Sequence, residues 1–334
     1  MPSRGAQFAR MRQSMNVLVL GGTRFVGRHI VDRLAQTGHL VTRFHRGRTA
    51  AVLPDGVQDC LGDRDESLDT AAYRTWDAIV DVNAYHAAQV HSSLKLSSRW
   101  YVLVSSLSVY ADLSQPGVTE AAPVITQWAD DDAAAKYGGE KAQCEALVRE
   151  KYGDRCTILR LGIVAGPYDW TGRFSYWCDR AMRGQPFVVP EPRDQPIAFV
   201  DARDAAVFAE RVLSERVAGT FNVVGPKKHL TMSGLVASCC AAARERGVES
   251  SAPLWVAPAT LLERGVEPWT DIPLWLDDEK YAGLFSADKR KALASGYAPR
   301  PVEETICAVN DWLADSAEAR ATVAGFAGAP PTTH

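Results

Sequence analysis

The sequence predicts an α/β fold in which a doubly wound parallel sheet is joined by a smaller, interleaved C-terminal lobe. Short apolar runs alternate with segments of helical periodicity, and such alternation forms parallel sheets through right-handed crossovers. A glycine-rich turn connects the first apolar run to the first helical segment. After Gly166 the loops become rich in proline and tryptophan, which indicates a region of different architecture.

The individual elements follow from the length and pattern of each run. A short continuous apolar run is typical of a strand that is covered on both faces, and period 3.6 is typical of a helix. The predicted strands are Asn16–Leu20, Val41–Phe44, Val57–Leu61, Ala78–Val82, Trp100–Ser105, Thr157–Leu161 and Thr220–Val224. The predicted helices are Arg24–Thr37, Tyr85–Leu96, Ala133–Lys151 and Ala205–Ser214. Ligands bind such sheets past the carboxyl ends of the strands, and the residues predicted there are Gly21, Asp63, Asn83 and Ser106.

Composition and charge exclude several classes of protein. Of the 334 residues, 46% are hydrophobic and 23% are charged, which is ordinary for a globular domain. The formal net charge of −3 gives no general attraction for nucleic acid or for an anionic membrane, and no apolar run approaches the ~20 residues that span a bilayer. The seven cysteines form no C-x-x-C pair, so we expect reduced thiols, a cytoplasmic protein and no metal site.

The first turn has the form expected for binding a dinucleotide. Gly21-Gly-Thr-Arg-Phe-Val-Gly27 follows a buried strand and opens a helix, so backbone N–H groups and the positive end of the helix dipole meet where a pyrophosphate would bind. Arg24 replaces the usual middle glycine, and we expect its side chain to point toward the adenosine end. The predicted cofactor contacts in this turn are Gly21, Thr23, Arg24, Phe25 and Gly27.

The end of the second strand bears on the choice of cofactor. An acid at this place binds the ribose 2′-hydroxyl of NAD, but here His45 is flanked by Arg46 and Arg48, with no acid nearby in the sequence. A guanidinium pairs with a phosphate and gains little from a bare ribose. We therefore expect Arg24 and Arg46 to bind a 2′-phosphate and favour NADP(H) over NAD(H). The alternative is that Arg46 and Arg48 are solvated loop charges.

A tyrosine and a lysine on the third helix suggest proton-transfer chemistry. Tyr137 and Lys141 are four residues apart and so share one face of the helix. A neighbouring ammonium stabilises a phenolate, and lowering a tyrosine pKa by about 2–3 units requires roughly 3–4 kcal/mol. Ser106, at the end of the preceding strand, would donate a hydrogen bond to the substrate oxygen and hold it near Tyr137.

Several segments together carry a family resemblance. Gly21–Gly27, Ser105–Tyr110, Tyr137–Lys141 and Arg160–Pro167 resemble the extended short-chain dehydrogenase/reductase superfamily, in its NAD-dependent epimerase/dehydratase branch. Lys291–Pro299 is similar to the C-terminal signature of that branch. The Gly-Gly-Thr-Arg-Phe form of the turn also resembles an atypical subgroup that includes chloroplast stem-loop RNA-binding proteins and non-catalytic regulators.

The resemblance implies roles for individual residues. Ser106, Tyr137 and Lys141 match the catalytic triad of the family. It also implies that the helix with Tyr137 forms a homodimer seam. Further cofactor contacts are implied for Asp63 at the adenine amino group, for Asn83 where the backbone passes along the cofactor, and for Leu161 and Ile163 where the main chain approaches the nicotinamide.

One difference from the pattern of this family concerns substrate binding. Gln195 stands where sugar-nucleotide epimerases usually have an arginine that binds the diphosphate, although Arg193 or Arg173 could supply that charge. Aromatic rings near the cleft could stack on a substrate ring, or they could simply fill the core. The substrate candidates are Trp170, Arg173, Trp177 and Trp269.

The chain is predicted to divide into two interleaved parts. We expect a Rossmann-type dinucleotide-binding domain at residues 15–165 and 195–224. A substrate lobe at residues 166–194 and 225–316 would form the other wall of the cleft.

The two ends of the chain are expected to be flexible tails, at residues 1–14 and 317–334. The first segment has arginines but no acid and no apolar stretch of a secretory signal. The last fourteen residues have no charge and are rich in Gly, Ala, Pro and Thr.

These observations predict an NADP(H)-dependent oxidoreductase acting on a carbonyl or hydroxyl of a small molecule. Tyr137 would exchange a proton with the substrate oxygen while Ser106 orients it. A second hypothesis is an epimerase or dehydratase that acts on a sugar-like substrate and recycles its cofactor. A third is a non-catalytic protein that senses the cofactor or binds RNA.

Overall fold

A computed structural model of the chain describes residues 14–49, 54–249 and 252–326. Their strands are β1 (Asn16–Leu20), β2 (Leu40–His45), β3 (Gln58–Leu61), β4 (Ala78–Asp81), β5 (Tyr101–Ser106), β6 (Cys156–Leu161), β7 (Val164–Ala165), β8 (Val188–Pro190), β9 (Pro196–Asp201), β10 (Gly219–Val223), β11 (Gly225–Thr231) and β12 (Leu254–Val256). Their α-helices are α1 (Phe25–Gln36), α2 (Ala87–Ser93), α3 (Ala133–Tyr152), α4 (Ser175–Met182), α5 (Ala202–Ser214), α6 (Met232–Glu245), α7 (Pro258–Glu263), α8 (Arg290–Ala294), α9 (Val302–Asp315) and α10 (Ala317–Ala324).

Seven strands form one parallel sheet in the order β10-β6-β5-β4-β1-β2-β3. The strand order reverses between β1 and β4, and this is the switch point at which doubly wound sheets bind ligands. The predicted fold class is confirmed, and each of the seven predicted strands is present within one or two residues.

Both faces of the sheet are covered, which explains why its strands are apolar throughout. Val17 and Val19 of β1 face a core that includes Ile30 of α1 and Phe208 of α5. The alternate residues of β1 face a second core, which includes residues of α2 and α3. Helices α1 and α5 therefore cover one face, while α2 and α3 cover the other.

The lobe has its own sheets and its own core. A three-stranded sheet has the order β11-β9-β7, and β12 pairs with β8. Phe174 and Trp177 pack here with Trp275 in a third hydrophobic core. Residues 195–224 were expected in the dinucleotide-binding domain, but β9 joins the lobe's sheet. Strand β10 belongs to the main sheet, and α5 packs on that sheet.

The expectation of a flexible tail from residue 317 is wrong for the part that the structure describes. Helix α10 occupies Ala317–Ala324, and the Oγ atom of Ser316 caps it by accepting a hydrogen bond from the Ala319 amide (3.1 Å). Ala319 and Val323 are buried, so this helix packs against the rest of the chain. Residues 1–13 and 327–334 lie outside the described residues. Among those described, no helix has the length and hydropathy of a membrane span.

Candidate active site

A cavity of about 660 Å³ opens along the carboxyl edge of the main sheet. Its walls come from the turn after β1, the ends of β2 to β6 and the first half of α3. The structure therefore brings together side chains that are up to about 150 positions apart in the sequence. The predicted site residues that line it are Gly21, Thr23, Arg24, Phe25, Gly27, His45, Arg46, Asp63, Asn83, Ser106, Tyr137, Lys141, Leu161 and Trp170.

The glycine turn at one end of this cavity fits a dinucleotide. Gly21 has φ +83°, a conformation that favours glycine. A Cβ atom added to Gly27 would lie 2.0 Å from the carbonyl oxygen of Gly21, so α1 can pack this close to the turn only because the residue is glycine. Helix α1 begins at Phe25, directly behind the turn. The arrangement leaves backbone N–H groups and a helix N-terminus available to a pyrophosphate.

The close contact at Gly27 leads to a prediction. Gly27→Ala is expected to lower the affinity for NADPH by roughly tenfold or more, because the turn must move and at least one hydrogen bond to a charged group is lost. Fluorescence titration with NADPH measures the effect. Gly234→Ala on α6 is the control, since an added Cβ there meets the end of the Leu230 side chain at 3.2 Å and Oγ1 of Thr231 at 3.4 Å. Unchanged affinity in Gly27→Ala would contradict the assignment of the turn.

His45, which lines the cavity, is paired with an acid that could not be recognised from the sequence. Nε2 of His45 lies 2.8 Å from Oδ1 of Asp59, and Nε of Arg43 donates to the same oxygen (2.8 Å). Partial burial raises the pKa of Asp59, but the hydrogen bonds from Arg43 and His45 outweigh it and hold that pKa below its usual value. His45 is therefore paired across the sheet. This pairing depends on the register of β2 and β3, which sequence spacing does not reveal.

The two arginines predicted to bind a 2′-phosphate both line the cavity. Nε of Arg24 donates to Oγ1 of Thr49 (3.2 Å), and Nη1 of Arg46 lies 3.9 Å from Oδ2 of Asp63. Arg46 is an exposed side chain. Its long, exposed pair with Asp63 is of a kind that contributes little energy, so its guanidinium can contact an anion.

Tyr137 and Ser106 meet at the other end of the cavity. Both side chains line the cavity, and Tyr137 is 38% exposed. Partial desolvation raises the pKa of Tyr137, whereas the nearby Ser106 hydroxyl and the positive charge of Arg173 act in the opposite direction. The net shift is upward, so the expectation that Lys141 lowers this pKa is wrong for the structure described. The phenol is protonated at neutral pH and can donate its proton. The Oγ atom of Ser106 donates to Oγ of Ser108 (3.0 Å) and accepts a hydrogen bond from the Ser108 amide (3.1 Å).

Lys141 is tied to the backbone at the ends of two strands. Its Nζ atom donates to the carbonyl oxygens of Ala84 (2.8 Å) and Val104 (2.6 Å), and it lies 5.9 Å from the centre of the Tyr85 ring. The side chain is 3% exposed, and this burial lowers the pKa of its ammonium. Lys141 thus connects α3 to β5 and to the loop after β4.

A buried ion pair one turn further along α3 holds that helix to the strands. Glu145 is fully buried; its carboxylate accepts from Nη2 of Arg160 (2.7 Å) and from Oγ of Ser105 (2.6 Å). Burial raises the pKa of Glu145, but hydrogen bonding and the charge of Arg160 outweigh it and lower the pKa overall. The sequence analysis missed this pair, although Glu145 continues the i, i+4 spacing of Tyr137 and Lys141.

Four predicted residues do not line the cavity. Trp177 as a substrate contact is wrong: it is fully buried, and its Nε1 atom donates to the carbonyl oxygen of Pro273 (3.1 Å). The guanidinium of Arg173 lies 4.9 Å from the centre of the Trp269 ring, so it occupies one face of that indole. Ile163 packs against the core of the lobe. Of the substrate candidates, only Trp170 lines the cavity.

The loop that carries Trp170 contains a buried carboxylate that the sequence analysis did not single out. Asp169 is fully buried, and its Oδ1 atom accepts from the amide (2.8 Å) and the hydroxyl (2.6 Å) of Thr171. Burial raises the pKa of Asp169 to about 6.

The side chain of Gln195, which stands where the family has an arginine, donates to the carbonyl oxygen of Leu274 (2.9 Å).

Comparison with known proteins places these features in context. A model of the NAD dependent epimerase/dehydratase family matches residues 17–225. The chain is 27% identical over 259 residues to the chloroplast stem-loop binding protein of 41 kDa b from Arabidopsis thaliana, covering 72% of this chain and 66% of the relative. It is 28% identical over 221 residues to 2′-dehydrokanamycin reductase from Streptomyces kanamyceticus, covering 62% and 60%. The match thus spans less than two thirds of either relative.

Solved structures share the fold at low sequence identity. UDP-N-acetylglucosamine 4-epimerase from Methanobrevibacter ruminantium M1 superposes with a TM-score of 0.69 at 17% identity, covering 91% of this chain and 99% of that one. The dTDP-glucose 4,6-dehydratase from Bacillus anthracis str. Ames, in complex with NAD, gives 0.68 at 17% identity, covering 92% and 98%. At this identity the similarity establishes the fold alone.

Proposed function

This chain belongs to the NAD-dependent epimerase/dehydratase family, and from this premise we propose that it is an NADP(H)-dependent oxidoreductase acting on a carbonyl or hydroxyl group of a small molecule. The observation that supports this most directly is that Ser106, Tyr137 and Lys141 line one cavity of about 660 Å³, with the pKa of the Tyr137 phenol raised above its usual value. A phenol in this state is a proton donor for a carbonyl oxygen.

Three side chains have different roles in the proposed reaction. The nicotinamide of the bound cofactor would supply or accept the hydride. Tyr137 donates its proton to the substrate oxygen, and Ser106 orients that oxygen by a hydrogen bond. Lys141 holds the loop after β4 against β5 through two carbonyl groups, and from this position it would donate to the ribose hydroxyls of the cofactor.

The experiment is to follow NADPH absorbance while the full chain is offered a panel of small ketones and aldehydes. Net loss of absorbance with any of them supports the proposal. The second candidate, an epimerase or dehydratase, is favoured by the family alone; such an enzyme would purify with tightly held nicotinamide and show no net consumption. One of the two curated relatives is named as a reductase and the other as a stem-loop binding protein. The third hypothesis, a binding protein, predicts neither net loss of NADPH nor recycling of a tightly held cofactor.

The preference for NADP is tested by Arg46→Ala. The change is expected to weaken NADP binding by about 1–3 kcal/mol, because a charge-assisted contact with the 2′-phosphate is lost, and to leave NAD binding nearly unchanged. Titration of both cofactors measures this. Arg155→Ala, before β6 at the amino edge of the sheet, is the matched control. Equal losses for NADP and NAD would disprove the 2′-phosphate assignment.

The proposed location and assembly rest on less specific features. All seven cysteines are free, which agrees with a cytoplasmic protein.

A homodimer through α3 and its neighbour α2 is proposed from the family resemblance. Light scattering of the purified chain tests the assembly, and a monomeric mass would contradict it.

A further inference from the structure

A polar network lies in the wall of the cavity, beside the glycine turn. Arg64 is 5% exposed, and its Nη1 atom donates to Oδ1 of Asp81 (2.7 Å) and to Oδ1 of Asn83 (2.7 Å). Its Nη2 atom donates to Oδ2 of Asp81 (2.8 Å) and to the carbonyl oxygen of Gln89 (3.0 Å). The sequence analysis did not single out Arg64, which follows the predicted adenine-binding Asp63.

This network holds the guanidinium in one orientation. Asp81 is fully buried and pairs with Arg64 through both carboxylate oxygens. The Tyr101 hydroxyl donates to the same carboxylate (2.7 Å). A bidentate pair of this kind fixes the guanidinium plane as well as its position. Arg64 therefore presents a fixed N–H donor to Asn83.

The fixed donor determines which way the amide of Asn83 faces. A guanidinium has donors and no acceptor, so the amide must turn its oxygen toward Arg64; the reverse orientation would oppose N–H to N–H. The NH₂ group then faces away from Arg64. No residue in the described part of the chain accepts a hydrogen bond from it, and the side chain lines the cavity.

The amide also lies directly against the turn. A Cβ atom added to Gly21 would lie 2.7 Å from Cγ of Asn83, so the two residues are in close contact. Gly21 begins the turn whose backbone fits a pyrophosphate. An unpaired NH₂ group at this place is suited to an oxygen acceptor on the ligand.

From this geometry we propose that the side chain of Asn83 donates a hydrogen bond to an oxygen of the bound dinucleotide, and that Arg64 is the positioning residue that fixes the donor. The inference rests on the proposed dinucleotide-binding function and deepens it. The resemblance implies only that the backbone at Asn83 passes along the cofactor. Here the side chain contributes as well.

The first arm of the test replaces Asn83 in two ways. Asn83→Asp keeps the shape and the acceptor for Arg64 but removes the donor, and Asn83→Leu removes the donor without adding charge. Both are expected to weaken NADPH binding, measured by fluorescence titration of the full chain, on the order of tenfold. The melting temperature of Asn83→Asp should not fall, since its carboxylate still accepts from Arg64. Asn16→Asp, at the amino edge of β1, adds the same charge and should leave the affinity unchanged.

The second arm tests whether Arg64 acts through Asn83. Arg64→Met is combined with Asp81→Asn so that no buried carboxylate is left unpaired. This double change is expected to weaken NADPH binding when Asn83 is present and to have no further effect in the Asn83→Leu background. A merely structural role for Arg64 would produce the same loss in both backgrounds.

The outcomes separate this inference from the proposed function. NADPH affinity that is unchanged in both Asn83 variants would overturn the contact made by Asn83. An equal loss in both backgrounds would overturn the positioning role of Arg64. Failure of the unaltered chain to bind NADPH or NADH would overturn the proposed function together with this inference.

Discussion

Replacing Tyr137 by phenylalanine is expected to reduce NADPH-dependent carbonyl reduction by about 10²–10⁴-fold, the range typical of a lost general acid. The ring and its packing remain, but the hydroxyl that donates the proton is removed. NADPH affinity and the melting temperature are expected to stay near those of the unaltered chain. The measurement is the initial rate of NADPH oxidation with the best substrate of the panel.

The control for this experiment is Tyr73→Phe. Tyr73 is an exposed tyrosine that does not line the cavity, so its hydroxyl should not affect the rate. If Tyr137→Phe also left the rate unchanged, Tyr137 would not be the proton donor. If the unaltered chain bound NADPH and turned over no substrate, a binding protein would be the better reading.

The second large effect is expected from Glu145→Ala. The change leaves the guanidinium of Arg160, which is 2% exposed, without its carboxylate. Breaking a buried pair in this way costs about 3–5 kcal/mol of the free energy of unfolding. Urea denaturation monitored by circular dichroism measures it. Because the pair joins α3 to β5 and β6, we also expect the rate of carbonyl reduction to fall.

The matched control is Glu215→Ala, which removes a carboxylate from the exposed pair between Arg211 and Glu215. That pair should contribute at most about 0.5 kcal/mol. A loss below about 1 kcal/mol in Glu145→Ala would contradict a stabilising role of the buried pair.

The contribution of Glu145 should also depend on pH. Its pKa is lower in the folded chain than in the unfolded chain, so the folded state favours the ionised carboxylate. This part of the stability is fully present above the ordinary glutamate pKa of about 4.3. It is lost as the pH falls from there through the lower pKa of the folded state.

Much of the fold could be predicted because local pattern and tertiary environment agree in the main sheet. Strand β1 is apolar at nearly every position since both of its faces are covered, and the pattern alone predicts a parallel strand. Residues at the carboxyl ends of such strands share one edge of the sheet, so the sequence alone predicts that Gly21, Asn83 and Ser106 lie together.

Features that depend on contacts between distant residues could not be predicted in this way. The pairing of His45 with Asp59 follows from strand register. Whether a tryptophan faces the cleft or the core depends on the packing of the lobe, which is why Trp177 was misplaced. The shift in the pKa of Tyr137 depends on burial that the spacing to Lys141 does not reveal.

The separate core of the lobe has a consequence for how this protein can change over time. Trp170, the substrate candidate that lines the cavity, sits on a loop of the lobe, while Ser106 and Tyr137, the groups proposed to act on the substrate oxygen, sit on β5 and α3. Mutations that reshape the packing around Trp177 and Trp275 can therefore alter which molecules enter without disturbing the chemistry. The reaction type should accordingly diverge more slowly among descendants of this sequence than their choice of substrate.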